Sequence, residues 1–287
     1  MTLITRFAPS PTGLLHLGHA YSVLFAYDLA QSKSGVLKLR IEDIDTTRSR
    51  KKWGKQVIKD LKWLGIEWAG PIVYQSHRII KYQNAIADLS RKGLIYQCNC
   101  TRKDIEQALS APQIEGNPDL QNHIYPGTCR SRVIQPERLF QQPGFALRLN
   151  LELALAELDQ HCITFFESKN NEFRKIEISK EEMLMNVGDF ILSSKDFFGS
   201  YHLSVVIDDA EQGITDVVRG EDLFSSTKIH VLLQRLLGYQ TPKYHHHTLI
   251  RDDSGRRLAK RDNSRSIAYY RAMGTTPTDI RKLVGLY

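Results

Sequence analysis

Two histidines three residues apart, His16 and His19, bracket Leu17-Gly18 just after the turn Pro9-Ser10-Pro11-Thr12-Gly13. On the first turn of a helix, side chains at that spacing share a face. A tight turn feeding a helix start also presents unpaired backbone N–H groups at the positive end of the helix dipole, which suits phosphate. Two imidazoles aimed at one spot there can donate hydrogen bonds to charge developing on a phosphoryl group. Gly18 leaves room for a flat ligand to approach the backbone. Taken alone, the same residues would serve as a metal pair or as two surface histidines.

Two further groups carry chemistry. Cys98, Cys100 and Cys129 fall within one short span, and only Cys162 stands apart from them. Four cysteines in 287 residues do not make a disulfide scaffold, and in a reducing compartment such spacing points to a metal. With Tyr125 the three thiolates complete a four-coordinate zinc; by chemistry alone His123 or Cys162 serves equally as the fourth ligand. Arg40-Ile41-Glu42-Asp43-Ile44-Asp45 lies where a strand is expected to end, and a carboxylate beyond the carboxyl end of a strand can hold an ammonium group. The tract His245-His246-His247 reads as structural or ATP-adjacent. It is expected to precede a strand at Thr248-Leu249-Ile250, and successive strand residues point to opposite faces, so three histidines do not converge on one ion.

The elements that must position these residues follow from periodicity. Residues 3–8 read as a strand, and Val23, Leu24, Tyr27 and Ala30 keep helical spacing from Gly18 to about Ser32. After Gly35, Leu37, Leu39 and Ile41 alternate as a strand. Strand, glycine turn, helix, strand is a βαβ unit, so an α/β fold around a Rossmann-like parallel sheet is expected. Helices are expected over Lys55–Leu64 and Arg78–Lys92. Residues 98–185 change character: they hold the cysteines, a polar loop, and an alternating run at Phe145, Leu147, Leu149 and Leu151, and they read as an insertion. Sheet-like runs are expected again at Leu203–Ile207 and Asp216–Val218, then a helix over Ser226–Leu237 and a short C-terminal helix with Ile280, Leu283 and Val284. This divides the chain into a catalytic domain in two halves (1–97 and 186–250), the insertion (98–185), and a basic loop with a C-terminal helix (251–287).

The net charge of +7 makes a polyanionic partner plausible. The excess gathers at Arg48, Arg50, Lys51, Lys52 and Lys55, and again at Arg251, Arg256, Arg257, Lys260, Arg261 and Arg265. Arg6 stands where a signal peptide would need apolar residues, and no apolar run is long enough to span a bilayer. A soluble cytoplasmic protein with no membrane association is expected.

Pro9-Ser10-Pro11-Thr12-Gly13 with His16-Leu17-Gly18-His19 resembles the "HIGH" signature of class I aminoacyl-tRNA synthetases of the glutamyl and glutaminyl branch. Gly255-Arg256-Arg257-Leu258-Ala259-Lys260-Arg261 resembles that class's "KMSKS" loop, with Arg257 in place of the first lysine and Ala259 in place of the serine. "YHLSVVIDDA" and "DVVRGEDL" resemble the segments that supply a substrate tyrosine and a second arginine. Cys-x-Cys with Tyr-x-x-x-Cys resembles the zinc site of the glutamyl-queuosine tRNA(Asp) synthetases, short paralogues of glutamyl-tRNA synthetase.

The resemblance implies a class I synthetase fold with a zinc-containing insertion, a short C-terminal helical segment like a stem-contact region, and no anticodon-binding domain, since the chain ends at Tyr287 soon after Lys260. His16, His19 and Lys260 would be catalytic, and with Pro9, Ser10 and Gly18 they would bind ATP, a substrate accompanied by Mg2+. Arg6, Phe7, Ala8, Pro9, Ser10, Glu42, Tyr201 and Arg219 would bind L-glutamate. Glu42 would take the amino group, and the arginines the carboxylates, because a planar guanidinium matches a carboxylate. One structural zinc ion would sit on Cys98, Cys100, Tyr125 and Cys129. The implied ligase activity is tRNA-independent glutamate activation and transfer to the queuosine base of tRNA(Asp), with no obligate protein partner. The alternatives are a discriminating glutamyl-tRNA synthetase core and a weakly active tRNA-binding relic.

Overall fold

In the computed structural model, residues 2–109, 124–139, 144–158, 161–169, 172–195, 198–250 and 266–286 are described. His123 and the whole basic loop with Arg257, Ala259 and Lys260 lie outside them.

The first βαβ unit forms as its sequence dictates. β1 (Ile4–Phe7) leads through the proline turn into α1 (Leu17–Ser32), and Gly35 turns the chain into β2 (Val36–Ile41). A Cβ at Gly35 would stand 2.3 Å from the Leu3 carbonyl oxygen, so this crossing accepts only glycine. β1 and β2 pair in parallel with Ile4 opposite Val36 and Phe7 opposite Leu39. There follow α2 (Lys51–Trp63), β3 (Val73–Tyr74), α3 (Ile79–Arg91), β4 (Ile95–Cys98), α4 (Arg102–Leu109), β5 (Ala146–Leu149), α5 (Leu151–Ala156), the hairpin strands β6 (Cys162–Lys169) and β7 (Glu172–Ser179), α6 (Lys180–Asn186) and β8 (Ile191–Ser193). The last part comprises α7 (Tyr201–Glu211), β9 (Asp216–Gly220), α8 (Phe224–Leu236), β10 (Lys243–His247), α9 (Ile267–Ala272) and α10 (Pro277–Leu283).

The strands make three sheets rather than one parallel sheet: β1-β2-β3, β7-β6-β10-β9 and β4-β5-β8. The first is parallel, the second is parallel except for the antiparallel β7, and the third is antiparallel. The first two abut where the Thr215 N–H donates to the Ile4 carbonyl at 2.9 Å. β6 belongs to the span 98–185, yet it pairs in parallel with β10, Tyr244 opposite Glu167. α10, opened by a Thr276–Asp279 capping box with Pro277 in its first turn, returns to α1, where Arg281 holds Asp28 through two 2.8 Å bonds.

Three local expectations fail. Leu203–Ile207 is helical, within α7: Ser200 caps the helix, and every residue from Leu203 to Asp209 is buried. A short apolar run buried on all sides carries no period that separates strand from helix. Leu151 begins α5 under an Asn150 cap instead of extending β5. The histidine tract is itself part of a strand, β10, and Thr248-Leu249-Ile250 follows that strand.

Candidate active site and cysteine cluster

A cavity of about 340 Å³ opens beyond the carboxyl ends of β1, β2 and β9, against the start of α1. Arg6, Phe7, Ala8, Pro9, Ser10, His16, Gly18, His19, Glu42, Tyr201 and Arg219 all line it. Of the expected substrate residues, only Lys260 lies outside the described part of the chain.

The two imidazoles cap α1 reciprocally. Nδ1 of His16 accepts from the Gly18 N–H at 3.1 Å, and Nδ1 of His19 accepts from the His16 N–H at 3.2 Å. Both Nδ1 lone pairs are thereby used, which leaves the ring hydrogen of each neutral imidazole on Nε2. The rings sit 3.9 Å apart between centroids. A Cβ at Gly18 would meet the His16 ring at 3.1 Å, so the glycine first serves to let His16 fold back over the helix start.

Below them lies a buried ionic network. Asp209 Oδ1 accepts from Arg6 Nε at 3.0 Å and from Arg40 Nη1 at 2.7 Å. Arg40 Nη2 donates to Glu42 at 3.1 Å, and Arg6 Nη1 donates to the Val218 carbonyl at 3.2 Å. Burial works to raise the Asp209 carboxyl, but Arg6 and Arg40 outweigh it and hold it below the usual carboxylate range. Burial also lifts the Glu42 carboxyl above its ordinary value, against the pull of Arg40 and Arg6.

Arg219 is held differently. Its nitrogens meet His230 Nδ1 at 3.0 Å, His246 Nε2 at 3.3 Å and Thr227 Oγ1 at 2.6 Å. His230 in turn meets His202 at 3.1 Å, and His246 meets Glu167 at 3.1 Å. Burial, then the nearby Arg219 charge, pushes His202 and His246 down to about 4 and His230 well below its usual value. These histidines are therefore neutral: His230 Nδ1 and His246 Nε2 accept from Arg219, and their other ring nitrogens donate to His202 and Glu167. Among the described residues no carboxylate pairs with Arg219, which is 5% exposed. A buried guanidinium with only neutral hydrogen-bond partners can receive an anion at the cavity floor.

Several contributors escaped sequence reading: Ser22, Asp222 and Leu249 on the cavity wall, and Asp209, Arg40, His230 and Thr227 behind it. Three charged residues inside two apolar runs, Arg40 within β2 and Asp208-Asp209 within α7, were the available signal, because buried charges require partners.

The cysteines converge as their spacing implied. The Sγ atoms of Cys98, Cys100 and Cys129 lie within 4.8 Å of one another. Tyr125 Oη stands 3.4 Å from Cys98 Sγ and 3.5 Å from Cys100 Sγ. A tetrahedral ion with Zn–S of about 2.3 Å needs ligand separations of roughly 3.5–3.8 Å, which this spacing approaches. The Cys129 N–H donates to Tyr125 Oη at 3.0 Å, and the Arg148 guanidinium sits 3.9 Å above the Tyr125 ring. Burial opposes ionisation of Cys129, but the Tyr125 hydroxyl, the Asn99 backbone and the neighbouring thiols bring it down to about 7. Cys162, the alternative fourth ligand, is half-buried on β6 opposite Ser179 and takes no part in the cluster.

With this geometry the comparisons with known proteins agree. The family model of class I tRNA synthetases (E and Q), catalytic domain, matches residues 2–287, and the chain belongs to that family. Within it, the chain is 52% identical to the Glutamyl-Q tRNA(Asp) synthetase of Rhodobacter capsulatus over 286 residues, 99% of this chain and 100% of that one. The protein of the same name from Rhodopirellula baltica is 37% identical, over 96% of this chain and 82% of its own. Among solved structures, a glutamate tRNA ligase from Elizabethkingia meningosepticum in complex with its amino acid superposes with a TM-score of 0.69 at 27% identity. That match covers 92% of this chain and 53% of the other, so the chain spans about half the length of that synthetase. Among the described residues no helix is long and apolar enough to cross a membrane.

Asp209→Asn leaves Arg6 and Arg40 without their shared counter-charge, and a loss of about 3 kcal/mol is expected near neutral pH. The depressed Asp209 carboxyl stabilises the fold above its unfolded value of about 3.9, and that contribution fades as pH falls through the lower folded value. Urea unfolding of both proteins should therefore show a gap at pH 7 that narrows below about pH 4; a gap of constant size argues against a charged Asp209.

Proposed function

We propose that this chain joins L-glutamate to ATP without tRNA, giving glutamyl adenylate and pyrophosphate, and then transfers the glutamyl group to the queuosine base in the anticodon loop of tRNA(Asp). The observation that carries the reading is one cavity whose walls combine an anion floor, an acidic residue and the helix start capped by two imidazoles. Similarity over 99% and 96% of this chain to two proteins named Glutamyl-Q tRNA(Asp) synthetase supports the acceptor.

In this reading Arg219 and Arg6, with Tyr201, hold the substrate carboxylates, and Glu42 holds its ammonium group. Phe7, Ala8, Pro9 and Ser10 shape the wall between amino acid and nucleotide. An oxygen of the α-carboxylate attacks the α-phosphorus of ATP in line, and the bond to the bridging oxygen breaks to release pyrophosphate. The Nε2–H groups of His16 and His19, fixed by their own Nδ1 caps, donate to the charge that grows on the phosphate as Mg2+-ATP reacts. Lys260, from the basic loop outside the described residues, supplies an ammonium for the departing pyrophosphate. The chemistry requires no covalent step by the protein, only positioning and electrostatics. In the second step a hydroxyl of the queuosine cis-diol attacks the adenylate carbonyl and AMP leaves. Residues 1–97 and 186–250 form the two catalytic halves, 98–185 faces the acceptor, and 251–287 carries the loop and terminal helices, in a cytoplasmic enzyme.

Cys98, Cys100, Tyr125 and Cys129 would hold one structural zinc ion, whose bonding would tie the end of β4 to the turn at Gly127. The donor set fits zinc: three sulfurs and a phenol oxygen already steadied by a backbone N–H.

Glutamate-dependent exchange of pyrophosphate into ATP should proceed with no RNA present. Labelled glutamate should then appear, in alkali-labile linkage, on the anticodon fragment of queuosine-bearing tRNA(Asp) and not on tRNA(Asp) lacking queuosine. Esterification of tRNA(Glu) at its 3′ end instead would refute the acceptor.

Protein purified without chelator should contain about one zinc per chain, and Cys98→Ser should lose the metal and melt at lower temperature. Elemental analysis finding under roughly a tenth of an equivalent in the unsubstituted protein eliminates the structural site.

A further inference from the structure

The first basic cluster read from the sequence has no part in the chemistry above. The structure gives it a setting. Arg50, Lys51 and Lys55 form one rim of a second cavity of about 530 Å³, and Tyr74 and His77 stand in its wall. That volume suits a nucleotide-sized ligand. The two rings lie 5.5 Å apart between centroids at 37°, which presents an aromatic surface beside three cations.

The local backbone supports an anion here. α2 begins at this cavity with no side chain capping it and no acidic residue in its first turn, so its positive end is not countered by its own sequence. Ser49 Oγ, which also belongs to this wall, is buried without a hydrogen-bond partner. Arg50 Nη1 is occupied by the Thr47 and Ser49 carbonyls at 2.8 Å each, so it shapes the loop and adds charge, while the exposed Lys51 and Lys55 remain available as contacts. The carboxylate on this wall, Asp43, is engaged by the Ser76 N–H at 2.9 Å and Oγ at 2.8 Å.

The two cavities share a partition. Pro9, Ser10 and Glu42 face the substrate side, whereas Pro11, Ile41 and Asp43 face this one. The Arg50 N–H ties α2 to that partition through the Pro11 carbonyl at 3.0 Å. A ligand here lies one chain thickness from the activated amino acid.

We propose that this cavity binds an unpaired nucleotide of the RNA that accepts the glutamyl group, its base against Tyr74 and His77 and its phosphate on Lys51 and Lys55. Aromatic stacking with a cationic rim is how unpaired RNA is held, whereas a paired base keeps its faces inside the helix. The inference takes its RNA from the function proposed above, and the test separates the two.

Binding of the tRNA(Asp) anticodon stem-loop to the full chain is followed by fluorescence anisotropy over a salt series. Lys51→Ala with Lys55→Ala should weaken binding about tenfold and reduce the slope of log K against log salt by about 1–2. Tyr74→Leu should weaken it about five- to tenfold, and Tyr74→Phe should bind as the unsubstituted protein does, because the stacking ring remains. Glutamate-dependent pyrophosphate exchange should stay within about twofold in every variant, which reports an intact fold and active site. Unchanged stem-loop affinity in both the double lysine variant and Tyr74→Leu overturns the proposal, as does an equal loss with Tyr74→Leu on a fully paired RNA hairpin. If the unsubstituted protein fails to glutamylate tRNA(Asp) while these variants still lose stem-loop affinity, the cavity stands and the acceptor reading falls.

Discussion

The site rests on one carboxylate. Asp209 Oδ1 receives Arg6 from β1 and Arg40 from β2, so a single buried oxygen joins the first two strands to α7. None of the three side chains would be tolerated alone in that interior, since an unpaired buried charge costs several kcal/mol. Their mutual dependence fixes where Arg6 and Glu42 can stand, and with them the shape of the cavity floor. Asp208, the preceding residue, makes a second such joint by accepting from Gln75, Arg78 and Tyr82, which anchors α3 to the same helix.

The charge balance of the cavity follows from this arrangement. Arg6 and Arg40 are offset by Asp209 and Glu42, while Arg219 is surrounded by His230, His246 and Thr227, neutral groups that accept its hydrogen bonds without cancelling its charge. Neutral imidazoles suit that task because they orient a guanidinium and leave its field directed at the cavity. At the other wall, imidazoles do a different job: the Nδ1 atoms of His16 and His19 cap the start of α1.

The cysteine cluster sits on different elements from the substrate cavity, whereas the second cavity shares the proline turn and the end of β2 with it. β4 carries Cys98 and lies in the antiparallel sheet with β5. The partition between the two cavities turns Pro9, Ser10 and Glu42 to one side and Pro11, Ile41 and Asp43 to the other. A synthetase that must hold an amino acid, a nucleotide and an RNA at once needs such partitions, because the three ligands differ in charge and must meet at one carbonyl carbon.

The sequence by itself determined the local features: the proline turn and helix start at His16, the glycine at position 35, the alternation of β2, and the cysteine spacing. The turn, the helix start and the alternation depend on neighbours within a few residues, where backbone sterics and hydrogen bonding decide, whereas Gly35 answers to Leu3 and the cysteines to one another across the chain. Motif resemblance supplied the residues expected to meet substrate, and one cavity gathers those that are described. Tertiary structure alone decided the pairing of Asp209 with Arg6 and Arg40, 203 and 169 residues away, and the neutral setting of Arg219. It also decided the helical state of Leu203–Ile207, since burial on every side removes the polar face from which a period is read. Charges and apolar runs announce that they must be buried with something; only the folded chain chooses with what.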